Sequence, residues 1–121
     1  MRFWLVIAAI NGFLAVAAGA FAAHGMQAGF GAHAAQLFET GARYHMYHAL
    51  ALGLTALAIG INVPARLAAI LFLTGIVLFS GSLYLLAFTG IHAFAIVTPF
   101  GGTAFLLGWA ALAWAGIRAK T

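Results

Sequence analysis

The sequence predicts an all-α integral membrane protein: a single domain, residues 1–121, folded as four transmembrane helices with both termini cytoplasmic. Three observations predict it. The chain is 66% hydrophobic and only 5% charged. It contains four apolar stretches long enough to span a bilayer. Its basic residues fall almost entirely at places that a four-span chain puts on one side.

A soluble domain needs about 25% charged residues to cover its surface. Too few are present here, so the exterior must be lipid. Five cations against one acid give a formal charge of +4. They are scattered rather than clustered on one face, so they form no nucleic-acid patch. The absence of cysteine excludes disulfides, thiolate chemistry and Cys-based zinc or iron–sulfur sites.

A spanning helix needs ~20 mostly apolar residues, and four stretches qualify. The first covers 3–23, broken only by Asn11, and the second covers 38–61. The third covers 67–88, opened by Pro64. The fourth covers 98–117, with Pro99 placed where proline suits a first helical turn. Lipid satisfies no backbone polar group, so each must be helical. The first stretch also has a signal-peptide look, with Arg2 before it and Ala20-Phe21-Ala22 at its end. Its apolar run is longer than a signal core, and it is expected to be a retained helix.

Arg2, Arg66, Arg118 and Lys120 lie at the amino end, the second connection and the carboxyl end. The connections over 23–37 and 89–97 contain no Lys or Arg. By the positive-inside rule the basic side is cytoplasmic. Gly12 and Gly19, Gly53 and Gly60, Gly75 and Ser82, and Gly101 and Gly108 recur at a spacing of seven. Such stripes allow close approach of helices where apolar attraction is weak.

Counting depth at ~1.5 Å per residue places nearly every polar side chain near the outer face. His24 and His33 fall in the first outer connection and His92 in the second. Glu39, Arg43, Tyr44, His45, Tyr47 and His48 occupy the outer third of the second helix. Ser80, Ser82, Tyr84 and Thr98 reach the same level, while Asn11 lies closer to mid-membrane. The 23–37 connection, rich in Gly, Ala, Met and Phe, is expected to be an ordered re-entrant or surface-lying segment. Gly25 should make its turn, and His24 should touch the second or third helix.

Glu39 and Arg43 are four apart with the acid first, the favourable order for a helical ion pair. They serve either as a structural interfacial pair or as a polar gate or ligand anchor. His45 and His48 lie nearly opposite that pair on the helix. Two histidines at this spacing could take a metal, but a full ligand set is not visible, so no metal or cofactor is assigned. The bland alternative is a hydrogen bond from His48 to the third helix, where Ser80, Ser82 and Tyr84 stand. Most of the Trp and Tyr residues suit membrane-interface anchoring.

Four stretches now match something known: Gly19-Ala20-Phe21-Ala22-Ala23-His24-Gly25, Phe38-Glu39-Thr40-Gly41-Ala42-Arg43-Tyr44-His45-Met46-Tyr47-His48-Ala49-Leu50, Leu78-Phe79-Ser80-Gly81-Ser82-Leu83-Tyr84 and Thr98-Pro99-Phe100-Gly101-Gly102. The chain resembles the small bacterial membrane proteins of domain-of-unknown-function family 423. The resemblance spans essentially the whole chain and implies a four-helix inner-membrane protein, without assigning an activity. Two positions depart from the family pattern, which has Gly at Ala22 and Gln at His45. A metal pair of His45 and His48 would therefore not be a family property.

The favoured reading is a non-enzymatic, multi-pass protein of the bacterial inner membrane. Its ligand-binding candidates are His24, Glu39, Arg43, Tyr47, His48, Ser80, Ser82 and Tyr84, forming a polar pocket near the outer face. A lipid headgroup, a small molecule or a partner helix would fill it. Membrane lipids, a second copy or another membrane protein are the expected partners, and nucleic acid is not. One alternative is a small oligomeric transporter or channel, although no charge lies in the cytoplasmic half of any span. The other is a His-based metal or haem redox protein, although only one carboxylate is present to share acid–base work.

Overall fold

The computed structural model describes residues 1–120. Within them the chain forms four helices: α1 Arg2–Phe30, α2 Ala32–Gly60, α3 Arg66–Thr89 and α4 Phe94–Arg118. α1, α3 and α4 are each long and apolar enough to cross a membrane. α2 is long enough, at 29 residues or ~43 Å. Its apolarity is diluted by Glu39, Arg43 and the Tyr and His residues of its N-terminal half. That dilution has a structural counterpart, because one face of α2 is packed against the other helices. Phe38, Gly41, Ala42, His45, His48, Ala49, Ala51, Leu52, Thr55 and Ala56 are all buried.

Successive helices are antiparallel neighbours. Met1 lies against Gly60, Ala8 against Gly53, and the rings of Phe21 and Phe38 are 5.4 Å apart. Gly41 meets Tyr84 and Leu83, while Phe72 meets Gly108 and Phe105 meets Gly75. This up-and-down order brings Arg2 and Arg66 to one end with Arg118 and Lys120. The turns at Gly31 and Gly90 stand at the other end.

The connection over 23–37 differs from the expected surface-lying segment. α1 continues through it, with a π-helical turn over Ala22–Met26, and ends at Phe30. The turn is made at Gly31, with φ +92°, and not at Gly25. Only a residue without a Cβ takes that conformation freely. Ala, Met and Gln favour helix, and the packing of Met26 on Phe38 and Ala87 holds the stretch helical despite Gly25 and Gly29. His24 points outward, exposed and without a side-chain hydrogen bond. Met26, fully buried against Phe38 and Ala87, closes the bundle instead.

Both prolines also sit differently. Pro64 lies in the short connection before α3, and Ala65 caps the helix. Pro99 lies inside α4, which begins five residues earlier at Phe94. The first bonds of α4 are tight i→i+3 contacts, from Phe94 to Ile91 and from Ala95 to His92. Pro99 therefore interrupts only the second turn of the helix.

Of the small-residue pairs, those on α2, α3 and α4 carry packing. A Cβ on Gly101 would run into the backbone of Phe79, and one on Gly75 into the Phe105 ring. α3 is wound into a second π-helical turn, Ile76–Ser80, at this crossing. Gly12 and Gly19 face open space, so that stripe makes no contact within the chain.

Candidate functional site

The polar residues at the Gly31 and Gly90 end of the bundle are held in separate arrangements rather than in one pocket. The longest begins at Asn11. Its Nδ2–H donates to the Ile7 carbonyl at 2.8 Å, which turns Oδ1 toward His45. Oδ1 can only accept, so the His45 Nε2–H donates to it at 3.0 Å. The other ring nitrogen, Nδ1, then accepts from the Tyr84 hydroxyl at 2.9 Å. One chain of hydrogen bonds thus ties α1, α2 and α3 together at one depth.

His48 solves the same problem against α4. Its Nδ1–H donates to the Tyr44 carbonyl at 2.7 Å, and its Nε2 accepts from the Trp109 Nε1–H at 3.1 Å. A backbone carbonyl only accepts and an indole only donates, which sets the tautomer. The ring lies flat on Phe105, with centroids 3.5 Å apart and planes 7° apart. His48 was expected to bond Ser80, Ser82 or Tyr84 of α3. It bonds α4 instead, because those three side chains are engaged elsewhere.

Ser80, fully buried, donates to the Gly41 carbonyl at 2.7 Å, across the α2–α3 contact. The Ser82 hydroxyl lies 2.6 Å from that of Thr98 and donates to the Phe79 carbonyl at 2.9 Å, linking α3 to α4. The rings of His45 and His48 point to different helices, so they do not face a common metal position. All four of their ring nitrogens have hydrogen-bond partners. No group of three or more His, Cys, Asp or Glu that could hold a metal ion occurs among the described residues.

Glu39 and Arg43 lie outside all of this. Arg43 Nη2 donates to Glu39 Oε1 at 3.1 Å, and the two side chains are 50% and 63% exposed for Arg43 and Glu39. Tyr47 follows on the same outward strip, and Leu50, Leu54 and Leu57 continue it down the helix, all exposed. Beside the strip, Tyr44, Tyr47, Phe79, Gly102, Phe105 and Trp109 line a cavity of about 400 Å³ between α2 and α4. The eight ligand-binding candidates thus divide three ways. Tyr84, His48, Ser80 and Ser82 join helices, Glu39, Arg43 and Tyr47 face outward, and His24 stands alone at the end of the bundle.

A family model described as "Protein of unknown function (DUF423)" matches residues 18–102. The chain belongs to that family. A UPF0382 membrane protein of Haemophilus influenzae is 44% identical over 98% of this chain and 96% of its own length. The UPF0382 inner membrane protein YgdD of Escherichia coli is 44% identical, with 98% and 92% covered. The UPF0382 membrane protein YwdK of Bacillus subtilis is 41% identical, with 98% of each covered. No solved structure matches the chain. The DUF423 chain is accordingly a helical membrane protein.

Three residues of the DUF423 chain matter more than sequence reasoning assigned them: Asn11, His45 and Trp109. Asn11 and His45 are polar groups opposite each other on adjacent antiparallel spans, and lipid gives neither an alternative partner. That signal was available. Trp109 sits well inside α4, too far from its ends for an interface anchor, and this hinted at an internal partner for its N–H.

Proposed function

We propose that the protein crosses the bacterial inner membrane four times, with both ends in the cytoplasm, and binds an anionic phospholipid at the outer end of α2. The non-enzymatic reading rests on how the polar groups are used. Asn11, His45, Tyr84, His48, Trp109, Ser80 and Ser82 are consumed in holding helices together.

The observation that carries the lipid reading is the outward strip of α2. It descends from the Glu39–Arg43 pair through Tyr47 to Leu50, Leu54 and Leu57. That is the order of a membrane itself: headgroup, interface, hydrocarbon. Tyrosine is enriched at the interface level. Arg43 gives one hydrogen bond to Glu39, and the rest of its planar donor fork is free to hold a phosphate. The orientation follows from Arg2, Arg66, Arg118 and Lys120 at the opposite end. α2 supplies the fourth span because its buried polar face is covered by α1, α3 and α4.

Native mass spectrometry of protein released from nanodiscs of mixed phosphatidylglycerol and phosphatidylethanolamine tests this reading. The wild type should retain phosphatidylglycerol. Arg43→Gln should lose most of it, while Glu39→Gln, which frees the guanidinium, should keep it. Equal retention by wild type and Arg43→Gln would overturn the proposal.

A further inference from the structure

The cavity between α2 and α4 has a chemistry unlike that of the strip beside it. Its walls are rings: Tyr44, Phe79, Phe105 and Trp109, with His48 stacked on Phe105. No charged side chain lines it. An acyl chain needs no such surface, whereas a flat ring gains offset-stacked and edge contacts from it. The cavity is about 400 Å³, within the range of small-molecule sites, which are mostly apolar with a few placed polar groups.

Those polar groups can be identified by elimination. His48 has both nitrogens occupied, one by the Tyr44 carbonyl and one by Trp109. The Trp109 N–H is spent on that same bond. The hydroxyls of Tyr44 and Tyr47 make no hydrogen bond among the described residues, and these residues are 38% and 51% exposed. The slot's wall is almost wholly apolar and uncharged, and the Tyr44 and Tyr47 phenols are the polar groups of its lining left without a partner among the described residues. Its floor adjoins the π-helical turn Ile76–Ser80, where the extra residue per turn carries Phe79 against Gly102. Turns of this kind recur at functional sites. The missing side chain at Gly102 keeps the slot open.

We propose that this slot binds the ring of a prenylquinone: flat, uncharged, bearing carbonyl oxygens that accept from Tyr44 and Tyr47, and carrying an apolar tail. The complementarity is specific. A phospholipid headgroup would bring charge into a slot that holds none, and a free fatty chain would leave the phenols without an acceptor. The tail leaves past Leu106, 73% exposed on the lipid side of α4. Tyr47 borders both this slot and the phospholipid strip, but Arg43 does not line the slot, so either reading can fail without the other.

The test uses the full chain in a mild detergent, with decylubiquinone as the probe and 1-decanol as a control supplying a comparable tail without the ring. Ligand that binds only the folded state raises the thermal midpoint with concentration. The wild type should be stabilised by decylubiquinone and not by decanol. A Cβ at Gly102 meets only the Phe79 ring, at 3.8 Å or more, so Gly102→Leu should fold, fill the slot and abolish the shift. Tyr44→Phe with Tyr47→Phe keeps both rings and should weaken the apparent affinity about tenfold. No shift in the wild type, or an equal shift in Gly102→Leu, overturns the proposal. If Gly102→Leu does not fold, an unchanged affinity in the double phenylalanine variant overturns it. Loss of phosphatidylglycerol in Arg43→Gln, with the quinone shift intact, would show that the two sites are distinct.

Discussion

The two faces of α2 carry similar residues and treat them in opposite ways. On the inward face His45 and His48 are each about 95% buried, and every ring nitrogen is paired with Asn11, Tyr84, Tyr44 or Trp109. On the outward face Glu39, Arg43 and Tyr47 are at least half exposed and meet one another or the surroundings. The difference lies in what is available at each face. An inward group has only other helices to bond, so it sets which helices meet and at what level. An outward group at the membrane surface has water and headgroups, so it fixes little of the fold and is free for a ligand.

The largest expected effect lies inside. His45→Leu leaves the Tyr84 hydroxyl and the Asn11 amide oxygen unpaired together, at roughly 1–3 kcal/mol for a stranded buried group. His45→Gln should recover most of the loss, since an amide also offers one donor side and one acceptor. Chemical unfolding in mixed micelles measures both, and equal loss in the two variants would contradict the hydrogen-bond account. Ser80→Ala and Trp109→Phe each remove one bond between helices and should cost about 1 kcal/mol, in line with hydrogen bonds measured inside membranes. Trp109→Phe removes the α2–α4 hydrogen bond while keeping an aromatic ring beside Phe72.

The smallest effect belongs to the outward pair. Glu39→Leu should change stability by less than ~1 kcal/mol, as exposed ion pairs do. The double variant with Arg43→Met should be at least as stable as the single one, since it strands no charge. A larger cost for the double variant would mean that Arg43 has a partner other than Glu39 and that the two faces are less distinct than described.

Much of this was legible before the structure. The four helices, the Glu39–Arg43 pair and the grouping of polar residues at one level follow from apolar length, i to i+4 spacing and alternating direction. The family was legible from the run Phe38 to Leu50 and its companions. Where α1 ends was not. Gly25, Gly29 and Gly31 look alike in sequence, and only backbone geometry shows that Gly31 alone turns. The start of α4 was misplaced because Pro99 suits a first turn, yet a proline in a second turn costs one bond and is tolerated when the helix packs well. The partner of His48 was not legible either. Depth alone pointed to Ser80, Ser82 and Tyr84 and passed over Trp109, and the choice depends on how α3 and α4 cross at Gly75, Gly101 and Gly108.

The central claim is that α2 runs through the bilayer with its polar end outermost, its histidine face sealed and its Glu39 face open. The chain has no cysteine, so single cysteines can be placed without background. Labelling intact cells with a membrane-impermeant maleimide tests the claim in one series, with cysteine at positions 39, 48 and 120. Position 39 should react from outside. Position 48 should stay unlabelled in intact and in permeabilised cells, and position 120 should react only after permeabilisation. Labelling of position 120 from outside, or of position 48 as readily as position 39, would contradict the account.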